Sequence, residues 1–509
     1  MKIKKLIIRG IYFSYLHKVV AGACLFFITP IILKNLGQST YGIWVVLYSV
    51  FGYFMMLDVG FNTAISKYTA EYMALDKKEV LNRIISSVFM VLIGIGFLIV
   101  LICIGVVPLF LRYFKVSADL YYEAKIAFLI MSINTALFLI SGVYANTIYG
   151  LQRVDIWQKY GIVQLITNAL LTIFLLYIGI GLVGISIAYL LSTLLIFILY
   201  IVFIKTSNYG IVIKPSLFDK KILKDIAPYS SRSFVLASCG RVLYYTDYIV
   251  IGFFLGSASV APYEITYKIC FYATYIVAPI STSVFPQFSS LFATGNYETL
   301  RRLYLRIVKL SLAIMMSVGI FLIVFGSAFI NLWVGKDNFA GTNVLWALVL
   351  MAFMHALGTP SGLLLQGIGK NVGLIYMILI DAILNLTLSI ILVQKIGIFG
   401  VALGTLIAHL ISTFWICPLL VCRYIKLSIR QYFVGGVLPP VISGVAAYWI
   451  IMFMQKLFLL PTNFFKLMIN GFFCVAVFFV IYLLAACDSK ERAFYFGLFR
   501  RLEGKTGEA

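Results

Sequence analysis

The chain has 509 residues, of which 62% are hydrophobic and only 11% charged, with a formal net charge of +22. So apolar a composition excludes a water-soluble globule and predicts an all-α polytopic membrane protein, because a chain inside the bilayer must satisfy its backbone polar groups internally. The basic excess is explained below by loop topology, so no nucleic-acid partner is expected.

A helix crosses the hydrocarbon with about 20 mostly apolar residues, and the sequence reads as about fourteen such spans in chain order. Six lie at residues 10–33, 41–63, 84–110, 120–148, 157–178 and 182–204. The first is too long for a cleavable signal and lacks a small-residue cleavage site, so it reads as a retained span. Residues 205–225 then form a basic linker with five lysines, whose Leu217, Phe218, Ile222 and Ile226 predict a short helix on the inner membrane surface. Six further spans lie at 226–255, 259–286, 304–330, 341–366, 372–394 and 399–422, and two more at 431–455 and 463–486. The organisation is therefore an N-lobe at 1–204, a cytoplasmic linker at 205–225, a C-lobe at 226–424, and two C-terminal helices with a cytoplasmic tail at 425–509.

The two sets of six repeat each other at an offset of 216 to 220. Ile180-Gly181-Leu182-Val183-Gly184 matches Ile396-Gly397-Ile398-Phe399-Gly400, and Leu191-Ser192-Thr193 matches Ile411-Ser412-Thr413. A polar stripe recurs as well: Gln164, Asn168 and Thr172 in one segment, Asp381, Asn385 and Ser389 in the other. Spacings of four place each trio on one helical face. Six spans per half bring the second copy in on the same side as the first, which predicts two parallel repeats forming two lobes around a central cavity, as in transporters.

Placing the N-terminus and the even-numbered loops inside gathers 28 of the 40 basic residues on the cytoplasmic side, so both termini are expected there. Five basic residues remain within spans: Lys18, Lys125, Arg232, Arg241 and Lys268. A charge at the bilayer centre costs at least about 2.5 kcal/mol, so each needs a compensating environment or a use. Lys125 lies near a helix end and snorkels. Arg232 is close enough to the inner surface either to snorkel or to guard a cavity mouth. Lys18 shares its helical face with Ser14 and Gly22, which favours a cavity. Arg241 lies deepest, with Tyr245 and Tyr248 following at i+4 and i+7, a face suited to sugar rings or to orienting the guanidinium. Lys268 follows Glu264 by four residues, so a structural ion pair competes with a cavity role.

Among the intramembrane acids, Asp381 belongs to the repeated stripe with Asn385. A carboxylate among amides can bind Na⁺ or exchange a proton, or simply hydrogen-bond a neighbouring helix. Asp58 near the end of span two is a second ion-coupling candidate, with a structural cap as its rival. The cysteines show no metal-ligand spacing, the histidines His17, His355 and His409 form no sequence pair, and no metal or cofactor is expected. The glycines at 179, 181 and 184 spell a dinucleotide pattern but sit in a turn between membrane helices rather than after a strand. Gly504-Lys505-Thr506 lacks the upstream glycine of a phosphate loop.

Leu36-Gly37, Tyr41-Gly42-Ile43-Trp44 and Leu57-Asp58-Val59-Gly60-Phe61, leading to Lys67-Tyr68, resemble the opening signature of polysaccharide-type flippases, including O-antigen flippases. These belong to the multidrug/oligosaccharidyl-lipid/polysaccharide exporter superfamily. The resemblance implies a non-enzymatic transporter of the bacterial inner membrane that moves undecaprenyl-diphosphate-linked oligosaccharide to the outer leaflet by alternating access. It further implies coupling to an H⁺ or Na⁺ gradient, with a polysaccharide polymerase and glycosyltransferases as pathway partners. Spans one, seven and eight border the cavity in that family, which makes Lys18, Arg241 and Lys268 the candidates to meet the diphosphate, and Arg232 a weaker one. A multidrug exporter or a flippase for another lipid shares the fold. A membrane enzyme such as a polymerase or ligase fits less well, because every outer loop is short.

Overall fold

The structure, a computed structural model, describes residues 2–454, 461–487 and 492. Every regular element among them is helical. Cα proximity divides the chain into two units: Met1–Glu264 with Val393–Val401, and Ile265–Leu392 with Ala402–Ala509.

The first unit contains α1 (Lys2–Phe54), α2 (Phe61–Ala74), α3 (Lys78–Tyr113), α4 (Tyr121–Gly150), α5 (Val154–Tyr177), α6 (Gly181–Thr206) and α7 (Lys220–Leu255). The α1 helix contains two limbs joined at Gly37, whose φ of 74° and ψ of 170° break the helix. Glycine reaches that geometry without a Cβ penalty. Ile65, Ile85, Val88, Val143, Ile148 and Ile196 form the buried centre between α2, α3, α4 and α6. Large apolar side chains such as Phe97, Leu101 and Ile104 instead point outwards from α3. An exterior as apolar as the core is what lipid contact demands, since hydrocarbon exacts no cost for exposed leucine or phenylalanine.

The linker differs from the expected surface helix. Only Pro215–Leu217 makes a 3₁₀ turn, and α7 has begun by Lys220. The linker backbone is bonded to α3: Asn82 Nδ2 donates to the Gly210 carbonyl at 3.1 Å, and Asn82 Oδ1 accepts from the Val212 N–H at 3.0 Å. Ser86 and Ser87 accept from the N–H groups of Lys214 and Asp219 at 3.1 and 2.8 Å. These side chains do for the linker backbone what a helix would otherwise do internally. Ile226, 2% exposed, joins the core in the second turn of α7.

The α8 helix (Val260–Ser283) begins in the first unit and continues in the second. Then come α9 (Phe285–Ala293), α10 (Tyr297–Val334), α11 (Thr342–Gly367), α12 (Asn371–His409), α13 (Cys417–Ile425), α14 (Ile429–Tyr432), α15 (Leu438–Phe453) and α16 (Phe464–Ile481). The core of the second unit gathers Phe288, Tyr304, Leu364, Val421, Tyr432 and Phe478. Within α12, Ile396 and Gly397 depart from helical geometry, Gly397 with φ 63°, and divide it into two limbs.

Ten helices among the described residues are long and apolar enough to cross a membrane. Two of them, Tyr12–Asp58 and Val372–Ile425, have 47 and 54 residues and are interrupted at Gly37 and at Ile396-Gly397, so each has length for two crossings. With 36 and 24 residues, α7 and α8 also reach spanning length.

Candidate functional site

In the first unit the chain leaves α1 through a 3₁₀ turn, Met55–Asp58, followed by Val59 and Gly60 in the left-handed region at φ 49° and 74°. This break frees the Met55 carbonyl, to which Arg241 Nη1 of α7 donates a hydrogen bond. Asp58, 8% exposed, accepts from the Gly60 N–H at 2.9 Å and from Asn62 Nδ2 at 3.5 Å, and lies within electrostatic reach of Arg241. Arg241 and Asp58, 183 positions apart, thus meet at one helix break. A guanidinium keeps donors to spare after one such bond.

The tyrosines after Arg241 go separate ways. Tyr245 packs 6.2 Å from both the Tyr48 and Tyr53 rings, and Tyr48 lies 5.9 Å from Tyr189. Tyr53 Oη is 2.6 Å from Thr246 Oγ1. Tyr248 packs 6.0 Å from Tyr263, whose hydroxyl donates to Asp247 Oδ2. Glu264 is held in the same way, accepting from Tyr41 Oη at 2.8 Å. Tyrosine hydroxyls therefore reach both acids, a contact that sequence spacing did not show.

Beside the tyrosine cluster lies a cavity of about 240 Å³, lined by Tyr48, Asn134, Gln164, Asn168, Ser192 and Tyr245 among others. Two members of the first polar stripe, Gln164 and Asn168, face it, and Asn168 Nδ2 approaches Ser192 Oγ of α6 at 3.5 Å. Among the described residues its lining combines amides, hydroxyls and aromatic rings with the apolar Met55, Met131 and Leu165, and carries no formal charge. Such a lining suits an uncharged polar guest.

The second unit carries the charged counterpart. Asp381, Asn385 and Ser389 are 2%, 0% and 0% exposed on the first limb of α12. The second limb packs against them so closely that a Cβ on Gly404 would stand 2.8 Å from the Ser389 nitrogen. Asn385 Nδ2 donates to Thr405 Oγ1 at 2.8 Å, and His409 Nδ1 stands 3.2 Å from Asp381 Oδ1. Asn385 Oδ1 and Ser389 Oγ are buried without a hydrogen-bond partner. His355 of α11 lies in electrostatic range of both Asp381 and His409, and its ring is 5.3 Å from that of Phe271 in α8. Sequence reasoning missed this grouping because its members are 26 to 54 positions apart. The signal available was the position of His409 one helical turn beyond Thr405, on the limb that Gly397 folds back.

The other sequence candidates are dispersed. Lys18 is exposed on α1, beside His17, which abuts Gly161 of α5. Lys268 is half-buried on α8 in the second unit. Arg232 lies on α7, and its side chain is outside the described ones.

Residues 8–292 match the model of a family described as polysaccharide biosynthesis protein. The chain belongs to that family. An uncharacterized membrane protein of Methanocaldococcus jannaschii is 21% identical across 95% of this chain and 96% of its own length. A Shigella flexneri protein named "Putative O-antigen transporter" is 22% identical across 73% of this chain and 87% of its own. Two solved transporters share the fold. The lipid II flippase MurJ in an inward closed conformation aligns with a TM-score of 0.74 over 97% of this chain and 100% of its own, at 17% identity. A multidrug resistance MATE transporter of the MOP superfamily in its inward-facing conformation aligns at 0.65 over 81% and 96%, also at 17% identity. This family member is thus a multi-pass helical membrane protein with the fold of the MOP transporters.

Proposed function

We propose that this family member is a flippase that carries undecaprenyl-diphosphate-linked oligosaccharide, the repeat unit of an O-antigen or another surface polysaccharide, from the cytoplasmic to the outer leaflet of a cell membrane. The match to the polysaccharide biosynthesis family carries the reading. Two lobes, 1–204 and 226–424, alternate access between the leaflets, with both termini cytoplasmic and fourteen crossings in all. A diphosphate bears about two negative charges, which basic groups in a low-dielectric cavity compensate far better than surface ones. Arg241 serves this role with Lys18 and Lys268, and Arg232 at the cytoplasmic mouth. Its bond to Met55 orients the guanidinium while leaving other donors for the phosphates. Tyr245 and Tyr248 contribute aromatic faces, and the neutral cavity at Gln164 and Asn168 suits sugar hydroxyls. Asp381, with Asn385, couples movement to an ion gradient, and Asp58 supports Arg241.

The family and its charge pattern favour this substrate over a cationic drug, even though drug exporters share the fold, since a cationic guest calls for surplus carboxylates. The test is glycan display in cells that depend on this chain. Arg241→Gln or Lys268→Gln should abolish surface glycan at unchanged protein level, with lipid-linked oligosaccharide accumulating on the cytoplasmic side. Normal display in both variants would overturn the assignment of the diphosphate to these cations.

A further inference from the structure

One end of the second unit carries a cleft that the proposed transport role leaves unused. It has a volume of about 510 Å³ and runs between α9 and the first turns of α10. Its α10 wall presents Thr299, Arg302 and Arg306, spaced three and four residues apart and therefore on one helical face. The α9 wall opposes them with Gln287 and Ser290, and Leu291 and Leu303 complete the lining.

Both walls are fixed from behind. Phe288 of α9 is fully buried, and its neighbour Ser289 donates to the Gly367 carbonyl at the end of α11 at 2.7 Å. On α10, Asn296 Oδ1 caps the helix by accepting from the Thr299 N–H at 3.2 Å. Arg301 Nε donates to the Ile425 carbonyl of α13 at 2.8 Å, and Tyr304 Oη lies 2.7 Å from Ser361 Oγ of α11. The cleft is thus a standing feature of the packing. Its level follows from length: α10 has 38 residues, about 57 Å at helical rise, whereas the hydrocarbon takes up about 30 Å. The turns that hold Arg302 and Arg306 precede the largely apolar run beginning at Ile307, and so lie at headgroup depth.

The chemistry of the lining selects a phosphate. Two guanidinium groups at i,i+4 repel each other, and an anion between them removes that cost. Arginine pairs with phosphate through parallel N–H···O bonds and carries donors to spare, so the Arg302 Nη2 bond to Glu298 Oε1 at 2.9 Å leaves others over. That pair is largely exposed on both sides and therefore weak. The Gln287 amide and the Ser290 and Thr299 hydroxyls suit the remaining phosphate oxygens, while Leu291 and Leu303 offer apolar surface for which a free ion has no use. Two other basic side chains at this end stand outside the lining, Lys370 over the Tyr424 ring at 5.6 Å and Lys426 over the Tyr297 ring at 5.8 Å.

We propose that this cleft is a peripheral site for an anionic phospholipid, its headgroup phosphate held between Arg302 and Arg306 and its glycerol ester resting on Leu291 and Leu303. The lipid belongs to the leaflet at this end, the cytoplasmic one in the orientation proposed above. Its occupancy does not depend on which substrate the chain moves.

The test is native mass spectrometry of the full chain in detergent, titrated with palmitoyl-oleoyl phosphatidylglycerol. Arg302→Gln with Arg306→Gln should weaken the first lipid adduct by about tenfold or more, because charge-assisted hydrogen bonds are the strong ones. Lys370→Gln with Lys426→Gln removes the same charge from the same end and should leave the adduct within about twofold, since exposed charges at a distance are screened. Equal weakening by the two pairs would trace binding to diffuse surface charge and overturn the site. Gln287→Glu, an exposed change that keeps both arginines, should also weaken the adduct by placing a carboxylate in the cleft, and so decides the matter if the double arginine variant does not fold. Unchanged binding in Gln287→Glu overturns the proposal. Displacement of the lipid by an equal concentration of inorganic phosphate would reveal a free-phosphate site, and equal affinity for phosphatidylcholine a site blind to charge; either result overturns it too.

Discussion

Gly42, inside the Tyr41-Gly42-Ile43-Trp44 motif, is where the second limb of α1 meets the turn after α7. A Cβ there would lie 2.7 Å from the carbonyl carbon of Ser257, nearer still to its oxygen, and 3.5 Å from the Ala258 nitrogen. Atoms at rest stand about 3.5 Å apart, so in Gly42→Ala one backbone must retreat by roughly 0.8 Å or more. No rotamer relieves the clash, because the obstructing atoms are main chain. Overpacking costs about 1–3 kcal/mol, and a main-chain obstacle puts this case at the upper end. At a few degrees per kcal/mol, the apparent Tm should fall by about 5 °C or more. The measurement is thermal loss of the monodisperse chromatographic peak in detergent, at one fixed scan rate because such unfolding is irreversible. Gly22→Ala in the same helix is the control: its Cβ would meet nothing within 4 Å, and alanine favours the helix by about 0.5–1 kcal/mol. Its Tm should hold or rise. If the two variants behave alike, close approach at Gly42 does not govern this packing.

Two further outcomes test contacts that hold the first unit together. Asn82→Ala removes both bonds to the linker backbone, a loss of about 1–2 kcal/mol that should speed tryptic cleavage at Lys214; an unchanged cleavage rate would show that Asn82 does not restrain the linker. Tyr41→Phe withdraws a hydroxyl from the buried Glu264 carboxylate, which should cost about 1.5–3 kcal/mol. A double-mutant cycle with Glu264→Gln should return coupling of about 1 kcal/mol or more, and zero coupling would refute the pairing.

The fold was legible because its cause is compositional. Runs of apolar residues at spanning length permit only helices in lipid, so helix identity and order follow from local sequence. The Gly37 and Gly397 joints were legible too, since each falls between two apolar runs. The linker was misread for the opposite reason. Its apolar residues suggested an amphipathic helix, but the hydrogen-bond partners that keep it extended, Asn82, Ser86 and Ser87, lie on another helix.

The candidate site divides along the same line. Deep charges stand out in an apolar sequence, so Arg241, Asp58 and Asp381 could be found by inspection, and the repeated stripe placed Asp381 and Asn385 on one face. Spacing also suggested that Arg241, Tyr245 and Tyr248 share a face, yet each meets a different neighbour: Met55, the Tyr48 and Tyr53 rings, and Tyr263. A side chain several atoms long chooses among the neighbours within reach, and those are set by packing.

Sequence alone determined that this chain lives in the bilayer, that its segments are helices, and which charges fall within them. Each of these is a property of one segment, or of one segment compared with another. Only the tertiary structure decided which charges meet. It brought Arg241 to the break beside Asp58, and it set His409 against Asp381 across the two limbs of α12. The physical reason is that a buried charge is stabilised by its surroundings, and those surroundings come from residues far away in the chain.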